Sequence, residues 1–133
     1  MIGSSQKIFV VDDEIHILHV IALKLRNAGY EVITSQDGRD ALELAQVEVP
    51  DLIITDYQMP HLSGLEMCQR LRQIPSTRNI PAIMLTARGF TLDTAAMGSA
   101  GIDVCVHKPF SPRELVHTVE NVLNSAPAYD IDI

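Results

Sequence analysis

The chain has 133 residues, 47% of them hydrophobic, and carries a formal net charge of −7 at pH 7. That length suits one hydrophobic core, no apolar run is long enough to span a bilayer, and an acidic balance without a basic stripe argues against direct nucleic-acid binding. Cys68 and Cys105 sit in a helical and a strand pattern, form no zinc spacing and read as reduced core thiols. Met1 to Gln6 lacks the basic and apolar segments of a signal peptide, so a cytoplasmic protein is expected.

Lys7-Ile8-Phe9-Val10-Val11 is a nearly continuous apolar run closed by Asp12 and Asp13, as in a parallel strand buried on both faces. Ile15, Leu18, Ile21, Ala22 and Leu25 then share one helical face, with Gly29 as the stop. Glu31 to Ser35 reads as a second strand, and Ala41, Leu42, Leu44 and Ala45 as a second helical face broken at Pro50. Leu52-Ile53-Ile54-Thr55 makes a third strand, closed by Asp56. Ser63 and Glu66 stand at capping-box spacing and open a helix whose Leu65, Cys68, Leu71 and Ile74 face the sheet.

Pro81 precedes the fourth strand, Ala82-Ile83-Met84-Leu85, closed by Thr86. Thr91 to Ala100 is the weakest helix, because Thr91, Thr94, Gly98 and Ser99 are modest or poor helix formers. Val104-Cys105-Val106-His107 is the fifth strand, closed by Lys108. Ser111 caps the last helix, Pro112 suits its first position and Glu114 completes a second capping box. Leu115, Val116, Val119, Val122 and Leu123 form its buried stripe, and Ser125 to Ile133 is expected to be a disordered tail. The alternation predicts an α/β domain with right-handed crossovers and helices on both faces of a parallel sheet.

Ligands of open α/β sheets bind outside the carboxyl ends of the strands, where strand order reverses. Asp12, Asp13, Asp56, Thr86 and Lys108 all stand at such ends. Two unit charges 4 Å apart interact by roughly 4 kcal/mol at an effective dielectric of about 20, so the carboxylates call for a cation. Mg²⁺ favours one or two carboxylates together with waters and phosphate oxygens. A carboxylate can also attack phosphorus and form an aspartyl phosphate. Lys108 would then act as a point charge on one phosphoryl oxygen and Thr86 would donate a hydrogen bond to another. Taken singly, each residue has a plainer reading. An Asp-Asp pair after a strand caps the next helix, and Asp13 can do both jobs; Asp56 is a turn residue, Lys108 a solvated lysine and Thr86 a strand-end hydroxyl. Their joint occurrence at four strand ends outweighs these readings.

The chain resembles the receiver domain of two-component response regulators. The matching text is Val10-Val11-Asp12-Asp13-Glu14, Asp56-Tyr57-Gln58-Met59-Pro60 with Gly64, Leu85-Thr86-Ala87, and Lys108-Pro109-Phe110. The resemblance covers about residues 6–124, flanked by an extension at 1–5 and the tail at 125–133. It implies a doubly wound, flavodoxin-like sheet of five parallel strands in the order 2-1-3-4-5. It further implies Asp56 as phosphoacceptor, Thr86 as switch hydroxyl and Lys108 as phosphate contact. Mg²⁺ would be held by Asp13, Asp56 and the Gln58 backbone carbonyl directly, and by Asp12 through a water. A cis Lys108–Pro109 bond is also implied.

On this reading the domain is a phosphoacceptor rather than an enzyme. A histidine kinase or phosphotransfer protein feeds it, and a downstream protein or self-association reads it, without nucleic acid or membrane. Gln58 and Arg88, two residues after Asp56 and Thr86, would tune the lifetime of the phosphate. One position departs from the family pattern: three residues before the lysine the family usually carries Tyr, Phe or His, and here stands Cys105.

Two alternatives differ in class. A Mg²⁺-dependent phosphohydrolase of the haloacid dehalogenase kind needs a second aspartate where Gln58 stands, and a receiver-like interaction module that takes no phosphate would not need the full acidic set. The lack of a Gly-Lys-Ser/Thr loop after the first strand argues against a P-loop nucleotide-binding protein. His16 and His19, one turn apart, read as a solvated face and His61 as a loop residue, while Met59, Met67, Met84 and Met97 read as packing.

Overall fold

Residues 5–90 and 92–125 are described in the computed structural model of the chain. Residues 1–4 of the extension, Thr91 and residues 126–133 of the tail, with the expectation of disorder placed on them, lie outside the described residues. Five strands, β1 (Lys7–Val11), β2 (Glu31–Ser35), β3 (Leu52–Asp56), β4 (Ala82–Thr86) and β5 (Ile102–His107), alternate with five helices. These are α1 (Ile15–Asn27), α2 (Gly38–Glu48), α3 (Gly64–Leu71), α4 (Thr94–Ala100) and α5 (Pro112–Asn124). All strand pairs are parallel and the order is β2-β1-β3-β4-β5, as the resemblance implied.

The strands are apolar on both sides because both sides are covered. Phe9, Val11, Ile53, Ala82 and Met84 point into a core closed by Ala41 and Ala45 of α2, Met67, Cys68 and Leu71 of α3 and Ala100 of α4. Their neighbours Ile8, Val10, Leu52, Ile54, Ile83 and Leu85 point the other way, onto Leu18, Ile21, Ala22 and Leu25 of α1 and Leu115 and Val119 of α5. The period-two alternation of a strand thus divides its residues between two cores.

Several local expectations need correction. Asp13 caps nothing: Glu14 is the N-cap of α1 and its side chain makes no cap bond, while Asp12 Oδ1 accepts the Glu14 amide at 2.9 Å. The box at Ser63 and Glu66 is complete, but at α5 only the Ser111 half forms, its hydroxyl accepting from the Glu114 amide at 3.3 Å. α3 stops at Leu71, so Ile74 lies beyond it, and Met67 is one of its buried residues. α4 begins at Thr94 and is capped by Asp93, which accepts the Ala96 amide at 2.7 Å. A capping side chain sets this start against the poor propensity of the preceding residues.

Gly64 ties the fold to its functional edge. Its amide donates to the Tyr57 carbonyl at 2.9 Å, and a Cβ there would run into the Asp56 carbonyl oxygen and lie 2.9 Å from Thr55 Oγ1. We predict that Gly64→Ala destabilises the domain by about 1–3 kcal/mol, the range for overpacking a filled site. Gly98→Ala, where nothing lies within 4 Å of a Cβ, should stabilise it by up to about 1 kcal/mol. Urea denaturation of the two variants checks both signs.

Candidate functional site

In the order β2-β1-β3-β4-β5 the chain winds outward from β1 in one direction and from β3 in the other, so a crevice opens at their carboxyl ends. Asp12 and Asp13 follow β1, Asp56 ends β3, Thr86 ends β4 and Lys108 follows β5. Carboxylate oxygens of Asp12, Asp13 and Asp56 all lie within 4.8 Å of one another. Asp13 and Asp56 border a cleft of about 330 Å³ walled also by Glu14, Tyr57, Gln58, Ala87, Phe90 and Lys108. Burial grades the acids: Asp12 is 0% exposed and Asp56 8% exposed, whereas Asp13 is open to solvent.

Lys108 is the clasp of this edge. Its Nζ lies 3.1 Å from Asp12 Oδ2, 3.2 Å from Asp56 Oδ1 and 2.9 Å from Glu14 Oε1. Glu14 was not foreseen as a partner; it looks like a helix-start acid, and the turn that Asp12 makes by accepting its amide swings it toward the lysine. Burial and then the Asp12 charge push Asp56 up from 3.8 to about 6, against the opposing pull of Lys108. Burial also raises Asp12, outweighing its hydrogen bonds from the Glu14 amide and Lys108. For Lys108, burial works downward, but hydrogen bonds to Glu14 and Asp12 outweigh it and its pKa is raised. The lysine is therefore a permanent cation, and Asp56 is the buried acid that this edge leaves least satisfied.

One ammonium among four carboxylates leaves an excess of negative charge. The donors at the crevice are all hard oxygens, converging from two strands, which is the chemistry Mg²⁺ selects and soft metals do not. The residues fit such an ion. His16 and His19 are exposed on α1, and the acidic trio is the one such ligand group found among the described residues.

Thr86 is 1% exposed, and its Oγ1 lies 2.9 Å from His107 Nδ1. That partner was also unforeseen, although both residues close adjacent strands and are paired in register. Cys105 is paired with Met84 in register and packs against the core beneath α2 to α4. Gln58 lines the cleft, but Arg88 is exposed and does not; Ala87 and Phe90 form that wall. The Phe90 ring meets that of Tyr57 at a centroid distance of 4.7 Å and a tilt of 37°. His61 does not line the cleft: its Nδ1 lies 2.7 Å from Asp37 Oδ2, joining the loop after β3 to the cap of α2. The Lys108–Pro109 bond is cis.

A family model of the response regulator receiver domain matches residues 8–120, and the chain belongs to that family. It is 42% identical over 119 residues to the alkaline phosphatase synthesis transcriptional regulatory protein PhoP of Bacillus subtilis, covering 90% of this chain and 49% of that protein. Against the probable transcriptional regulator ycf27 of Cyanophora paradoxa the identity is 43% over 120 residues, with 90% and 49% covered. The chain thus spans about half the length of these curated relatives. Among solved structures, the chemotaxis response regulator CheY4 of Vibrio cholerae matches with a TM-score of 0.83 at 34% identity, covering 90% of this chain and 99% of that one. The receiver domain of sensor histidine kinase PA1611 from Pseudomonas aeruginosa PAO1 matches with a TM-score of 0.82 at 30% identity, covering 92% and 100%. That structure has a magnesium ion coordinated in its active site cleft.

The raised pKa of Asp56 has a stability consequence of definite sign. A carboxyl at about 6 in the fold against 3.8 unfolded binds more protons when folded, so its contribution to stability falls as pH rises from about 4 to about 6. In chelator-treated protein, Asp56→Asn should therefore stabilise the fold at pH 7 by about 3 kcal/mol. The gain should vanish below about pH 3, where the carboxyl is protonated in both the folded and the unfolded state. Urea melts of the pair across pH read the difference directly.

Proposed function

We propose that the domain accepts a phosphoryl group on Asp56 from a phosphohistidine on a histidine kinase or phosphotransfer protein. The observation that carries this reading is the half-satisfied Asp56 carboxylate, 3.2 Å from Lys108 Nζ and within 4.8 Å of oxygens from two further aspartates. In the transfer, an Asp56 oxygen attacks phosphorus and an O–P bond forms as the donor's P–N bond breaks. The leaving imidazole nitrogen keeps the bonding pair and takes up a proton.

Lys108 holds one phosphoryl oxygen by charge and Thr86 donates a hydrogen bond to another. Asp13 and Asp56 would hold Mg²⁺ directly with the Gln58 backbone carbonyl, and Asp12 would do so through a water. When bound, the metal neutralises the phosphoryl oxygens that these carboxylates would otherwise repel. Gln58 flanks the approach of an attacking water from the cleft wall and tunes the lifetime of the phosphate, whereas Arg88, exposed and off that wall, would do so only by folding its long side chain over the loaded site.

The domain assists its own phosphorylation and dephosphorylation but turns over no separate substrate. Gln58, standing where a haloacid dehalogenase-type phosphohydrolase needs its second aspartate, disfavours that alternative. Residues 6–124 form the receiver and act in the cytoplasm; no helix among the described residues is long and apolar enough to cross a membrane. Output passes to a protein partner or to a second copy. A net charge of −7 suits neither course to DNA phosphates, so this chain itself does not read nucleic acid.

Incubation with Mg²⁺ and acetyl phosphate, read by intact mass and peptide mapping, should add one phosphoryl group, on Asp56. Labelling of Asp56→Asn to the wild-type extent would overturn the assignment. Asp13→Ala should lower Mg²⁺ affinity on the order of tenfold or more, since loss of even an outer-shell partner costs that much. Titration calorimetry showing wild-type Mg²⁺ affinity would mean that the metal sits elsewhere.

A further inference from the structure

His107 is the one side chain, among the described residues, that bonds to the Thr86 hydroxyl. Thr86 is 1% exposed, whereas the His107 ring is exposed. A buried hydroxyl at the functional edge is thus joined by one hydrogen bond to a ring on the surface. The register is specific to this pairing. Met84 lies opposite Cys105 and Thr86 opposite His107, so positions 105 and 107 share a face of β5 and only the second carries a ring.

The two jobs open to the Thr86 hydroxyl compete. A hydroxyl carries one proton, and its oxygen moves between discrete staggered wells about χ1. If Nδ1 is unprotonated the hydroxyl donates to it; if Nδ1 carries a proton the hydroxyl oxygen accepts. Either way the oxygen is held toward β5.

We propose that His107 is a positioning residue for Thr86. In the resting domain it holds the hydroxyl toward β5, and the hydroxyl leaves it for a phosphoryl oxygen when Asp56 is loaded, releasing the exposed ring. His107 thereby reports the state of the site at the end of β5, where position 105 has no ring to do so. The inference rests on the phosphoacceptor reading and adds to it the residue that couples the site to the surface.

Competition fixes the sign of the test. A resting hydrogen bond that must break subtracts from the affinity of a phosphoryl analogue. With beryllofluoride and Mg²⁺ as the probe, read by fluorine NMR, His107→Phe should bind roughly two- to tenfold more tightly than wild type, the equivalent of one net hydrogen bond. His107→Asn, which keeps a polar atom near the place of Nδ1, should return the affinity toward wild type. In a Thr86→Val background the effect of His107→Phe should disappear. Imidazole nitrogen NMR of the wild-type protein should show the His107 Nδ1 signal moving as beryllofluoride binds, which needs no variant to fold. Unchanged or weaker binding by His107→Phe, persistence of its gain without the Thr86 hydroxyl, or an unmoved His107 signal overturns the coupling alone. Absence of binding to the wild-type domain overturns the phosphoacceptor reading and the coupling with it.

Discussion

The gathering of Asp12, Asp13 and Asp56 at one edge of the sheet, against the single ammonium of Lys108, is the constraint on which the site depends. Lys108 and Asp12 are 96 positions apart in the chain and 3.1 Å apart in space, so their pair exists only when β1 and β5 both sit in the sheet. Asp12 is 0% exposed and cannot discharge its charge into water. A buried charge stripped of its partner is far more costly than the pair is favourable. The pairing therefore specifies the edge more than it stabilises it, and the incomplete neutralisation of Asp56 leaves room for a cation and a phosphoryl group.

The two cores make that strained edge possible. Every central strand buries residues on both faces, with α1 and α5 on one side and α2, α3 and α4 on the other. The support is uneven. α1 buries Leu18, Ile21, Ala22 and Leu25, whereas α4 has seven residues and only Ala100 fully buried. Local opening follows the regions with the fewest buried apolar contacts, so α4 is the element most easily reordered from the site. It follows β4, whose last residue is Thr86. The wall between them carries Phe90, stacked on Tyr57 beside Asp56, which joins this weakly held segment to the acidic edge.

Strands and strand-end residues were legible because their signals are local. An apolar run closed by a polar residue needs no knowledge of its neighbours, and such runs placed Asp12, Asp13, Asp56, Thr86 and Lys108 at one edge. Contacts that depend on register were not legible. Glu14 meets Lys108 through a turn built by Asp12, and His107 meets Thr86 because β4 and β5 pair with a shift between Ala82 and Ile83. Tyr57 and Phe90 are lone aromatics in sequence and acquire their relation only when the loops after β3 and β4 face each other. Helix ends failed for a related reason: Asp93 sets the start of α4 by one side-chain bond, which summed propensity does not weigh. Arg88 shows the limit of counting residues from a motif, since its spacing from Thr86 points to the cleft while its side chain stands in solvent.

The exchange of a ring for Cys105 then acquires a physical meaning within this fold. Position 105 lies opposite Met84, against the core that covers α2 to α4, and a cysteine there fills space without a strong donor or acceptor. A ring at position 107 lies at the open end of β5, where loss of one hydrogen bond releases it into solvent with little repacking. Such a signal would be read at the end of β5, next to Lys108 in the chain and beside Thr86 in register, and a partner that recognises the loaded domain would need to contact that end of the sheet.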